Sequence, residues 1–102
     1  MERTVEVVPE AGLHARPASQ FVRTANQYDA AVRVGRADEG DDGLVEGNSM
    51  LAVTGLNVEH GESVRLVAEG EDAAAALDAL AAILTTPVEA DDGEGDAEGD
   101  GP

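Results

Sequence analysis

The chain has no cysteine and no tryptophan, and its aromatic side chains stop at Phe21 and Tyr28. Without thiols there is neither a disulfide to staple the fold nor a thiolate metal site. Without large rings, the core has to be assembled from Val, Leu, Ile and Ala. Lysine is missing too: all six basic residues are arginines, set against 22 Asp and Glu for a net charge of −16. Such a polyanion repels other polyanions, which sets aside nucleic acid and anionic membranes as partners. No apolar run approaches the roughly 20 residues that span a bilayer, so no integral membrane segment is expected. The N-terminus carries no basic and apolar signal pattern, and a cytoplasmic location is expected. The two histidines have no ligand spacing, and Asp38, Glu39, Asp41 and Asp42 do not follow an EF-hand loop. No metal and no cofactor is expected.

What is present is one domain's worth of chain, 102 residues with 42% hydrophobic content. Clear periodicity up to residue 86 argues for a folded unit despite the charge. From Glu89 onward only Asp, Glu, Gly, Ala and a final Pro appear, including seven of the acidic residues. The expected division is a domain at 1–88 and a disordered acidic tail at 89–102. An acidic, lysine-free surface on a folded core resembles proteins of salt-in halophiles; an acidic mesophile protein is the alternative.

Residues 3–8 alternate as a strand with Val5 and Val7 on one face. From Pro17, the spacing of Ala18, Phe21, Val22 and Ala25 predicts a helix, with Arg23 and Asn26 facing outward. Ala31 to Val34 alternates as a second strand, and Gly35 to Gly43 reads as a solvated turn. Leu44 to Glu46 is a short third strand. Asn48 or Ser49 caps a brief helix with Gly55 as its stop. Glu62 to Ala68 is a fourth strand after the His60-Gly61 turn. Glu71 and Asp72 place negative charge at the start of a last helix, whose stripe is Ala73, Ala76, Leu77, Leu80, Ile83 and Leu84. Four strands with helices on one face make an α+β two-layer sandwich.

The chemistry concentrates in Gly12-Leu13-His14-Ala15-Arg16-Pro17-Ala18. A proline suits the first turn of a helix, which puts His14 at or beside the N-cap. There, free backbone N–H groups and the positive end of the helix dipole form an anion site. Arg16 adds a planar guanidinium suited to phosphate oxygens. A histidine beside an anion cradle points to a nucleophile that accepts a phosphoryl group.

That heptapeptide, Gln20-Phe21-Val22, Asn48-Ser49-Met50-Leu51 and Glu69-Gly70-Glu71-Asp72 together resemble HPr, the histidine phosphocarrier family of the phosphoenolpyruvate-dependent sugar phosphotransferase system, over roughly residues 1–86. The resemblance implies an open-faced sandwich, a four-stranded antiparallel sheet covered on one face by three helices in the order β-α-β-β-α-β-α. It implies phosphorylation of His14 at Nδ1, with Arg16 stabilising the transferring group and the Ala15 and Arg16 backbone binding phosphate. Ser49 matches the family's regulatory serine, although Asn48 replaces the lysine common in regulated members; its other reading is an N-cap. Met50 and Leu51, with Arg23 and Asn26, match partner-contacting positions, against a core role for one of the two apolar side chains. Enzyme I as donor and a sugar-specific IIA domain as acceptor are the implied partners, and a monomer is expected. Such a protein is a carrier with a covalent intermediate rather than a free-standing enzyme. The alternatives are donation to a dihydroxyacetone kinase, a regulatory HPr-like binding protein, and a small-molecule-binding regulatory α+β domain. His60 matches no site of the family.

Overall fold

The structure, a computed structural model, describes residues 1–87. The expected boundary at residue 88 and the acidic stretch 89–102 lie outside the described residues. In chain order the elements are β1 (Glu2–Glu6), α1 (Ala15–Ala25), β2 (Ala31–Arg36), β3 (Val45–Glu46), α2 (Met50–Gly55), β4 (Ser63–Glu69) and α3 (Ala73–Thr85), with a 3-10 turn at Asp41–Gly43. The strands form one sheet in the order β1-β4-β2-β3, antiparallel at every step. This is the α+β open-faced sandwich.

β4 lies inside the sheet, paired with β1 on one side and β2 on the other, and its side chains alternate cleanly. Val64, Leu66 and Ala68 are buried, while Ser63 and Glu69 at its ends are exposed. The register sets Val64 opposite Val5 and Leu66 opposite Val34, so inward side chains of three strands lie side by side. On the other face, Arg65 is bridged to Glu2 at 3.0 Å and also paired with Asp41. Thus part of the acidic loop, expected to be wholly solvated, is tied back onto the sheet.

The helices close the inner face. α1 contributes Ala18, Phe21 and Ala25, and α3 contributes Ala73, Ala76, Leu77, Leu80 and Leu84. Ile83 is half-buried at the edge of the core rather than inside the stripe. Phe21 is the largest wholly buried side chain; truncating it to alanine removes about 3–5 kcal/mol. No polar or charged residue among those described is fully buried, so the core is held by shape and apolar area.

Several boundaries differ from the sequence reading: β1 is Glu2–Glu6 rather than 3–8, β3 starts at Val45 rather than Leu44, and β4 is Ser63–Glu69 rather than Glu62–Ala68. α1 starts at Ala15, so Pro17 is its third residue and not its first. α2 runs through Gly55, and the left-handed turn beyond it belongs to Asn57 at φ 56°; asparagine tolerates that region better than most residues. β2 continues to Arg36, past the Val34 end that the rise in Asp, Glu and Gly content predicts.

Candidate functional site

The turn before α1 is fixed from below. Leu13 is fully buried, and its N–H donates to Val58 O at 2.9 Å. Gly12 has φ 73°, and a Cβ there would run into the Val58 carbonyl and the Glu59 Cα. Only glycine lets the two chain segments approach this closely. His14 comes next as the N-cap of α1, extended at φ −135° and ψ 169°, with its side chain not used for capping. Ala15 then takes φ 53°, a left-handed conformation costing a non-glycine residue about 1–2 kcal/mol. Strain of this kind gathers where a site needs a backbone direction that ordinary geometry does not give.

The first helical hydrogen bond is Ala18 N–H to His14 O, at 3.4 Å. Pro17 has no N–H, so the amides of Ala15 and Arg16 are the two donors of the first turn left without a helical acceptor. They lie directly beside His14. The His14 side chain is 31% exposed, and its Nε2 is 3.8 Å from Glu59 Oε2. Arg16 is exposed, and among the described residues its guanidinium has no hydrogen-bond or ion-pair partner. A reachable imidazole, two amides without helical acceptors and an exposed guanidinium two residues on are groups suited to holding a tetrahedral anion.

The loop carrying Glu59 is clamped. Arg36 donates to Glu62 Oε2 at 2.7 Å and to the carbonyl of Asn57 at 3.2 Å. The other oxygen of Glu62 accepts the Glu59 backbone N–H at 2.9 Å. The Arg36 hydrogen bond, with the Glu59 amide second, holds the Glu62 carboxyl below the usual carboxylate range. The same bond to Glu62 raises the Arg36 guanidinium. The loop is also stitched to the chain after β1: Gly61 N–H donates to Val7 O at 2.7 Å, and Val7 N–H to Glu62 O at 2.8 Å. His60 Nδ1 lies 2.7 Å from Val8 O, so that nitrogen serves the loop as a donor.

The whole of this site lies inside a matched family. The PTS HPr component phosphorylation site family matches residues 1–86. The chain belongs to the HPr family. It is 74% identical over 87 residues to the phosphocarrier protein HPr of Haloferax volcanii, covering 85% of this chain and 96% of that one. It is 43% identical over 88 residues to the HPr of Streptomyces coelicolor, covering 86% and 91%. Its fold superposes on the crystal structure of HPr from Bacillus anthracis with a TM-score of 0.76 at 33% identity, covering 83% of this chain and 96% of that one. The chain is therefore a phosphocarrier of the phosphotransferase system, and the Haloferax relative agrees with its halophile-like composition.

The remaining positions suggested by the HPr resemblance fall on the α1–α2 side. Met50 and Leu51 are 41% and 84% exposed, so neither is a core residue. Ser19, Val22, Arg23, Asn26 and Met50 line one surface groove, while Leu51 projects beyond it. Arg23 is steadied by a 3.0 Å hydrogen bond to Ser19 Oγ. Ser49 is the N-cap of α2, its Oγ accepting the Ala52 N–H at 3.2 Å. No described helix is long and apolar enough to cross a membrane. Sequence reasoning missed Arg36, Glu59 and Glu62. The available signal was the alternation Val32, Val34, Arg36, which continues β2 into the clamp.

Proposed function

We propose that His14 is the nucleophile of this HPr and carries the phosphoryl group between two proteins. The observation that carries this reading is the N-cap placement of an uncapping, accessible imidazole beside the free amides of Ala15 and Arg16. Enzyme I, charged by phosphoenolpyruvate, is the donor, and a sugar-specific IIA domain is the acceptor. Arg16 and the two amides hold the equatorial oxygens, where charge resides during transfer. Nothing small is released; the product is a phosphohistidine whose imidazole is a good leaving group for the next acceptor. Arg23, Asn26, Met50 and Leu51 form the docking face. Ser49, the N-cap of α2, is the candidate regulatory phosphosite of this reading: a phosphate there would add negative charge next to Met50 and Leu51.

Incubation with phosphoenolpyruvate and Enzyme I, then mass spectrometry, tests the proposal. One acid-labile, base-stable phosphoryl group on His14 is expected. Labelling on another residue, or none in a folded chain, overturns it.

A further inference from the structure

Glu59 faces the imidazole nitrogen that the proposed chemistry does not use. Its Oε2 is 3.8 Å from Nε2 of His14, and its own backbone is fixed by the Glu62 carboxylate, which Arg36 holds in turn. Gly12 allows the close approach that brings this loop against the histidine turn. A carboxylate next to one ring nitrogen favours the tautomer that carries the proton there, leaving the other nitrogen with its lone pair.

Resting on the phosphocarrier reading above, we propose that Glu59 is a positioning residue for His14, its carboxylate keeping the proton on Nε2 so that the Nδ1 lone pair is the one that attacks phosphorus. In the forward step the Nδ1 lone pair forms the N–P bond while the bond from phosphorus to the donor breaks, its electron pair leaving on the donor atom. Nε2 keeps its proton throughout, so the ring becomes cationic, and the carboxylate lies where that charge collects. In the onward step the N–P bond breaks, its pair returns to Nδ1 and the ring is neutral again. The role parallels that of a carboxylate that orients a catalytic imidazole without taking its proton. Arg36 and Glu62 act one step further out by fixing the loop.

The test uses the full chain, wild type and Glu59→Gln, with Glu62→Ala as a second variant that frees the loop but keeps Glu59. Glu59 is largely exposed, so the glutamine variant folds. Long-range proton–nitrogen spectra of His14 read the tautomer directly, and rapid-quench labelling by phospho-Enzyme I reads the rate. Wild type is expected mainly as the Nε2–H form. Glu59→Gln is expected to lower the Nε2–H share toward the free-imidazole ratio, which itself favours Nε2–H, and to slow phosphoryl acceptance about three- to fivefold, the modest scale of a solvent-exposed charge contact. Glu62→Ala is expected to give a smaller change in the same direction. Unchanged His14 nitrogen shifts and an unchanged rate in Glu59→Gln would overturn the role of Glu59 while leaving the phosphocarrier reading intact. Absence of phosphate from wild-type His14 would overturn that reading, and this proposal with it.

Discussion

His60 lies in the Val58–Glu62 loop and His14 in the turn packed against it, and the two rings are used differently. The ring of His60 is spent on structure, with Nδ1 against the Val8 carbonyl. The ring of His14 neither caps its helix nor binds the backbone; its one ion-pair contact among the described residues is with the carboxylate of Glu59. The backbone C-terminal to each residue differs as well. After His14 the chain enters a helix whose first amides are unpaired, whereas after His60 it turns through Gly61 into β4. An exposed imidazole is therefore not enough. A phosphoryl site also needs donors for the oxygens, and in the proposed reading those are the first amides of α1 and Arg16.

The largest effect breaks this comparison outright. His14→Ala should abolish labelling by phospho-Enzyme I, and His60→Ala should leave it intact while costing about 1 kcal/mol of stability through the lost Val8 bond. Mass spectrometry and thermal melting of the pair decide it, and labelling that disappears with His60 sinks the assignment. Arg16→Ala removes a donor that only His14 has nearby. It should slow phosphoryl acceptance by about 100-fold, as losing one transition-state donor does, with an unchanged melting curve.

Gly12→Ala attacks what the two histidines share. The added Cβ meets Val58 and Glu59, and φ 73° disfavours any side chain. A loss of about 2–3 kcal/mol in chemical denaturation is expected, with shifted signals for both rings.

Leu51→Glu separates recognition from chemistry. Leu51 is 84% exposed, so circular dichroism should be unchanged while transfer between proteins slows about tenfold. Labelling of His14 by a small phosphoramidate donor should persist. Equal loss with both donors would show that the variant damages the site itself.

The smallest effect concerns the clamp. The Glu62 carboxyl titrates lower in the folded chain than in the unfolded one, mainly because of Arg36. The stability it contributes is thus present above the unfolded value of about 4.3 and is lost as pH falls through the folded value. Melting between about pH 5 and 3 should therefore decline less steeply for Glu62→Gln than for wild type, by a modest margin because the pair is near solvent.

The sequence alone determined the element order and the inward faces, because burying Val5, Val34, Val64 or Leu66 requires only local alternation with a period of two. The same holds for Phe21 and Leu77 with a helical period. It also located His14 and Arg16, since a glycine turn, a proline and a helix start are local signals. Strand order needed the folded chain, because placing β4 between β1 and β2 depends on pairings between residues distant in sequence. The exposure of Met50 and Leu51 also needed it, for a short helix has too few turns to define a buried stripe. Glu59, Glu62 and Arg36 were invisible as a group for a related reason. Each reads as a surface charge in its own segment, and only the close approach of the Gly12 turn to the Val58–Glu62 loop sets their hydrogen bonds behind His14.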